Sequence, residues 1–218
     1  MPLVSVVIPA FNAERFLAEA IESVFANRCV ELEVIVVDDG SSDRSAEVAR
    51  GYPVQVIVQD NRGVSAARNT GYRAARGEYL AGLDADDRWL PGKLEHQLRC
   101  LEQDPELDLV YGLVQQFRQS PRYEALGDPI PGRLPGTLLA RRRAFSSVGS
   151  FDENLVIGEF MDFIVRAREA GLRELLLDRV CLERRIHETN LGVTARDHRT
   201  DYFEVARRSL AAARRRRG

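Results

Sequence analysis

Lysine is almost missing from this chain. Lys93 is the single lysine among 31 basic residues, and 33 acidic residues leave a formal net charge of -2. A protein that wraps nucleic acid through a general basic surface carries a clear positive excess, so no nucleic-acid partner is expected. Cysteine is scarce as well. Cys29, Cys100 and Cys181 lie far apart with no CxxC pair, which disfavours a zinc site or a thioredoxin-like motif. The odd count, with no basic leader before the first apolar run, points to a reducing, cytoplasmic setting in which the thiols are inert core groups. No stretch approaches the ~20 apolar residues that cross a bilayer; a peripheral contact at the inner face of the membrane stays open. Glycine-rich phosphate loops are absent too. The first turn reads Pro9-Ala10-Phe11-Asn12, neither a dinucleotide fingerprint nor a P-loop, so phosphates must be held in another way.

What is present is a soluble-protein composition, 44% hydrophobic and 29% charged over 218 residues, enough for one large domain or two small ones. Residues 3–8 and 32–37 are β-branched runs that fit strands buried on both faces. Between them Phe16, Leu17, Ala20, Ile21, Val24 and Phe25 make one apolar stripe. Asn12 suits the N-cap of that helix and Glu14 its first turn. The alternation continues: helix 42–50, strand 54–58, helix 65–75, strand 79–83, then a helix from Pro91 to about Gln103. This predicts an open, mostly parallel α/β sheet flanked by helices. Beyond residue 104 we expect a strand over 109–117, a proline-rich loop over 120–136, a helix over 160–170, a strand-like segment over 178–182 and a last helix over 201–217. In that helix Tyr202, Ala206, Ser209, Leu210 and Ala213 share a face.

The acidic residues carry the strongest signal. Asp38-Asp39 and Asp84-Ala85-Asp86-Asp87 each directly follow a predicted strand. Ligands of open α/β sheets sit at the carboxyl ends of strands, so both clusters should converge on one crevice. Adjacent carboxylates repel unless a cation separates them. A divalent metal held by Asp86 would do this and would also meet phosphate oxygens. Asp39 is expected to face solvent there, and the ring of Phe11 could stack on a base.

Four segments then carry a resemblance: 4–12 (VSVVIPAFN), 36–43 (VVDDGSSD), 61–71 (NRGVSAARNTG) and 77–87 (GEYLAGLDADD). In order and spacing they resemble the family 2 glycosyltransferases, which have the GT-A fold, a Rossmann-like nucleotide half joined to an acceptor half. Residues 136–145, Gly149-Ser-Phe-Asp-Glu153 and Gly158-Glu159 resemble the acceptor side. The resemblance, which runs to about His187, implies a nucleotide-sugar-binding half over 1–104 and an acceptor and catalytic half of the same domain over 105–197; the C-terminal helix and basic tail over 198–218 are read from the residues alone. The resemblance also implies a metal-dependent inverting transfer from a nucleotide-diphosphate sugar, with UDP the usual nucleotide, to an acceptor hydroxyl of unknown identity. By the same resemblance Asp39 accepts a hydrogen bond from the base, and Pro9, Phe11, Asn12 and Glu14 belong to the nucleoside pocket. Arg68 lies near the base and fixes the second acidic loop. Asp84 sits near ribose or diphosphate, and Asp86 binds Mg²⁺ or Mn²⁺; His187 either completes the metal shell or is an ordinary surface or core histidine.

One position departs from the family. An Asp that deprotonates the acceptor commonly follows the Glu at position 159, and here Phe160 stands there. Glu159 and Asp162 are the nearest carboxylates and the candidate bases; a helix-dipole role for Glu159 and an ion pair of Asp162 with Arg166 are their structural alternatives. Arg184 and Arg185 either neutralise diphosphate or are simply solvated. Trp89 either stacks on a sugar or packs. The Arg214 to Arg217 run either meets anionic headgroups or frays in solvent, and a homodimer stays open. Phe160 also motivates a non-catalytic sugar-nucleotide-binding or scaffold reading. A sugar-phosphate nucleotidyltransferase is disfavoured by the missing phosphate loop.

Overall fold

The β-branched runs near the N-terminus form the centre of one sheet. The computed structural model describes residues 2–119, 122–188, 190, 198 and 200–215, with side chains to residue 208. β1 (Leu3–Ala10), β2 (Glu31–Asp38), β3 (Gln55–Val58) and β4 (Tyr79–Gly82) are parallel and stand in the order β3-β2-β1-β4. Seven of the eight β1 residues are buried, as an unbroken apolar run requires when helices cover both faces of a sheet.

Three helices link these strands: α1 (Leu17–Phe25), α2 (Ser45–Arg50) and α3 (Val64–Ala74). Leu17, Ala20, Ile21 and Val24 bury the stripe of α1 against the sheet, each large side chain contributing about 1.5–3 kcal/mol relative to exposure. Asn12 is not the cap of this helix, contrary to expectation. It has φ 49°, and its side-chain oxygen accepts from the Ser42 backbone N–H at 2.9 Å, which ties the turn after β1 to the turn after β2. α3 lies close on the sheet because Gly71 has no side chain: a Cβ there would stand 2.3 Å from Val7 Cγ1.

The second half is mixed rather than parallel. After β5 (Arg88–Trp89) and α4 (Lys93–Gln103) comes the long β6 (Leu107–Gln119). Short β9 (Leu139–Arg141) lies antiparallel between β4 and β6 and joins the two halves. β10 (Arg173–Arg185) runs parallel to β6 with register shifts, and β5 pairs antiparallel with its far side. The proline-rich segment is not all loop. β7 (Tyr123–Ala125) and β8 (Ile130–Gly132) each pair with β6 alone; a strand with one neighbour tolerates Pro131 because its other edge needs no donor. Helices α5 (Arg142–Val148) and α6 (Glu159–Glu169) pack phenylalanines 145, 151, 160 and 163 into a second core.

α7 (Thr200–Arg215) follows. Its buried contact is Val205, while Ala206 is exposed, which corrects the expected face; Ser209, Leu210, Ala213 and the side chains of the Arg214–Arg217 run lie outside the described side chains. Cys181 is buried, Cys29 exposed and Cys100 half-buried, so the core-thiol expectation holds for Cys181 alone. Among the described residues no helix is long and apolar enough to cross a membrane.

Candidate active site

In the order β3-β2-β1-β4 the connections reverse direction between β1 and β4, where a crevice opens at the strand C-termini. The turns after β1, β2 and β4 meet there, with segments 61–68 and 153–156 and with Arg184, His187 and Asn190, around a cavity of about 610 Å³. Pro9, Phe11, Asn12, Asp39, Arg68, Asp84, Asp86 and His187 line it; Glu14, Glu159 and Asp162 are not among its lining residues. Phe11 is 51% exposed, a flat apolar face at the mouth.

Asp39 is 3% exposed, not solvent-facing as expected. Its Oδ1 accepts from Gln59 Nε2 at 2.7 Å and from the Arg62 backbone N–H at 3.0 Å, and its Oδ2 from the Gly63 N–H at 2.8 Å. Gly63 has φ 89°, a conformation that glycine adopts without a Cβ penalty. The carboxylate therefore holds the 59–63 turn against the sheet. Oδ2, which accepts once from the protein, keeps room for a second donor. Glu14 accepts instead from the Arg44 backbone N–H at 3.1 Å, outside the cavity.

Arg68 links the second acidic loop to α6. It bonds Asp84 Oδ1 at 2.7 Å through Nη2 and Glu159 through Nη1. Burial alone would make this guanidinium easier to deprotonate, but the Asp84 and Glu159 carboxylates outweigh it and raise its pKa. The same buried environment, with Asp84 nearby, pushes the Tyr72 phenol up.

Asp86 faces His187 and Asn190: its Oδ2 is 2.9 Å from His187 Nε2 and 3.0 Å from Asn190 Nδ2. Asp87 accepts from the Arg185 backbone N–H at 2.8 Å. Its burial, then the charges of Asp86 and Asp84, push its carboxyl well above the usual range. This excess of negative charge suits a cation. The Asp86–His187 spacing also suits one, because neighbouring donors at ~2.1 Å on an octahedral ion stand ~3 Å apart. Among the described residues no three His, Cys, Asp or Glu groups are placed to hold one metal ion together. A magnesium-type site does not need three, since it takes one or two carboxylates and completes itself with water and substrate phosphates. The donor set fits such an ion.

Two arginines part company. Arg184 lines the cavity. Arg185, expected either at diphosphate or in solvent, is 4% exposed and braces the acidic loop, its Nε donating to the Asp86 carbonyl at 3.0 Å and its Nη2 to Glu19. Trp89 is buried; its Nε1 donates to the Gly136 carbonyl at 2.7 Å. That settles it as a packing residue, out of reach of a sugar.

Asp162 Oδ2 accepts from Arg166 Nε at 2.7 Å, and Arg166 also reaches the Ser150 carbonyl at 2.9 Å. Phe160 is buried against Phe151 and Phe163. Sequence reasoning assigned no role to Arg62, Glu153, Val156 or Asn190, all of which line the cavity. Arg62 and Glu153 lay within the quoted motif segments and Asn190 in the stretch around His187, so the signal was present; Val156 carried none.

Residues 5–158 match a family model described as Glycosyl transferase family 2. The chain is 29% identical over 222 residues to an uncharacterized glycosyltransferase of Rickettsia typhi, covering 92% of this chain and 69% of that protein. It is 40% identical over 115 residues to the uncharacterized glycosyltransferase EpsJ of Bacillus subtilis, half of this chain and 33% of that protein. S. aureus TarS 1-349 in complex with UDP-GlcNAc superposes with a TM-score of 0.77 at 21% identity, covering 96% of this chain and 66% of that one. The mannosyltransferase PcManGT from Pyrobaculum calidifontis, in complex with GDP-Man and Mn²⁺, gives 0.76 at 19% identity, covering 95% and 64%. These two likenesses are of fold, the GT-A arrangement of sheet and helices. The chain thus spans from a third to about two thirds of the length of these proteins.

Proposed function

The chain belongs to glycosyl transferase family 2, a family of transferase enzymes, and from that premise we propose that it moves a sugar from a nucleotide-diphosphate sugar, UDP-linked in the first instance, to an acceptor hydroxyl with inversion. The observation that carries this is the convergence of Asp39, the Arg68–Asp84 pair and the Asp86–His187 pair on one cavity at the carboxyl ends of β1, β2 and β4. Solved proteins of this fold with UDP-GlcNAc or GDP-Man bound support a nucleotide-sugar donor.

In this reading the free acceptor site on Asp39 Oδ2 takes an N–H of the base, and Phe11 and Pro9 form the apolar floor beneath it. Asn12 shapes that floor through its bonds to Ser41 and Ser42, and Glu14 braces it from outside through Arg44. Arg68, locked in its charged form, keeps Asp84 turned to the ribose and diphosphate. Asp86 and His187 are the residues that would hold Mg²⁺ or Mn²⁺, which when bound supplies positive charge for the departing diphosphate. Arg184 adds a cation on the same side.

A second reading is favoured by one observation. Phe160 takes no proton, and the carboxylates beside it are engaged with Arg68 and Arg166, as in a binding protein that has lost its base. Hydrolysis of donor separates the two, because a transferase releases nucleoside diphosphate slowly to water and a binding protein releases none. The transferase reading itself is tested by calorimetry of UDP and GDP with and without Mn²⁺. Binding that strengthens with Mn²⁺ supports it; no binding of either nucleotide overturns it.

A further inference from the structure

A hydroxyl is a poor nucleophile at neutral pH, so its transfer needs a proton acceptor inside the cavity. Phe160 offers none. Glu159 is paired with Arg68 and Asp162 with Arg166, and neither lines the cavity. Among the described residues five carboxylates do line it. Asp39, Asp84, Asp86 and Asp87 all come from the nucleotide side and are engaged there. The fifth, Glu153, is the one contributed by the second half among the described residues.

Glu153 is held at one oxygen and poorly held at the other. Oε1 accepts from Asn69 Nδ2 at 3.0 Å. Asn69 is itself fixed, because it exchanges bonds of 3.0 and 2.9 Å with the Phe151 backbone. Oε2 pairs at 2.7 Å with Arg62 Nη2, and the two side chains are 35% and 55% exposed. Such open pairs contribute little and exchange partners readily. The Arg62 backbone N–H is meanwhile anchored to Asp39 at 3.0 Å. The arginine therefore stays at the nucleotide site whichever anion its guanidinium meets.

Resting on the transferase reading, we propose that Glu153 is the catalytic base, and that Arg62 exchanges it for the donor diphosphate. The acceptor O–H gives its proton to Glu153 Oε2 while its oxygen bonds to the anomeric carbon. The bond from that carbon to the phosphate oxygen breaks, and its electron pair leaves with the nucleoside diphosphate. Arg62 moves to the anion created at that end, where charge-assisted contacts are strongest. The Asn69 hydrogen bond, with the Arg62 and Arg73 charges, holds the Glu153 carboxyl below its ordinary range although partial burial opposes this, so it is ionised and ready at neutral pH.

The test measures release of nucleoside diphosphate to water from UDP-glucose, UDP-N-acetylglucosamine and GDP-mannose with Mn²⁺, and UDP and GDP affinity by calorimetry. Glu153→Gln should lower release by roughly 10²–10⁴-fold, keep nucleotide affinity within threefold and melt within a few degrees of the parent. The acid limb of the parent's kcat/KM profile, which reports the protein before Arg62 leaves Glu153, should lie below the ordinary glutamate range and vanish in Glu153→Gln. Release that survives in Glu153→Gln and is lost in Asp162→Asn overturns the proposal while leaving the transferase reading intact. Failure of the parent to bind either nucleotide overturns both.

Discussion

Lys93, the one lysine, should make this protein more stable as the solution turns alkaline. The residue is 1% exposed beneath the sheet. Its Nζ donates to Gln97 Oε1 at 2.9 Å and to the Leu138 carbonyl at 3.3 Å, and stands 3.9 Å from the centre of the Trp89 ring. Burial pulls its pKa down to about 7, against ~10.4 for a lysine in an unfolded chain. Between those two values the unfolded chain binds a proton that the native chain does not, so unfolding becomes less favourable as pH rises through that window. Each pH unit is worth about 1.4 kcal/mol, and the full window of ~3.4 units about 5 kcal/mol. Below pH 7 both states carry the proton and the dependence disappears. Lys93→Met removes the titration at the cost of leaving Gln97 Oε1 and the Leu138 carbonyl without this donor, an offset that does not vary with pH. Urea unfolding of both proteins at pH 6.5, 7.5, 8.5 and 9.5 isolates the lysine, because every other titration cancels in the difference. The parent should gain about 1 kcal/mol or more per unit on the variant above pH 7.5. Parallel curves, within ~0.5 kcal/mol across the range, would refute the reasoning and mean that the ammonium stays charged in the core.

Asp39→Ala removes three hydrogen bonds to the 59–63 turn together with the proposed base contact. It should lower stability by about 1–3 kcal/mol and weaken UDP binding, read by melting and by calorimetry; unchanged values in both would contradict its place in the site. Asp86→Asn should abolish the gain in nucleotide affinity with Mn²⁺, whereas Asp87→Asn, whose oxygen serves the Arg185 N–H, should keep it; equal losses would contradict the assignment. Gly71→Ala sets a methyl 2.3 Å from Val7 Cγ1 and should cost about 1–3 kcal/mol by overpacking, visible as a lower urea midpoint; a variant as stable as the parent would mean that α3 shifts freely on the sheet.

The N-terminal half was legible because β1 and β2 are long, mainly apolar runs of eight residues each, because turn or charged residues follow its strands, and because small residues mark α3. Strands β5 and β9, of two and three residues, are too short for any periodicity, and β7 and β8 sit in a proline-rich stretch that local chemistry assigns to loop. Their pairing comes from β6, a tertiary effect. Within the site, Asp39, Asp84 and Asp86 could be read from their position after strands. The three donors on Asp39 could not, because they come from a turn 20–24 residues away. The same holds for Arg185. An arginine beside another arginine reads as solvated, and only the fold brings Glu19 and the Asp86 carbonyl to it. Glu153 was visible as part of Gly149-Ser-Phe-Asp-Glu153, but its approach to Arg62 and Asn69 spans 91 and 84 residues.

The central claim is that the cavity at the ends of β1, β2 and β4 takes a nucleoside diphosphate beside a divalent ion. Calorimetry of UDP and GDP against the chain, with Mn²⁺ and then with EDTA, in parent and Asp86→Asn, tests it most directly. The account predicts binding of one nucleotide by the parent, weakened at least tenfold by EDTA, and a weak affinity in Asp86→Asn that EDTA no longer changes. Nucleotide binding that is equally strong in EDTA, or that keeps its Mn²⁺ dependence without the Asp86 carboxylate, would contradict it.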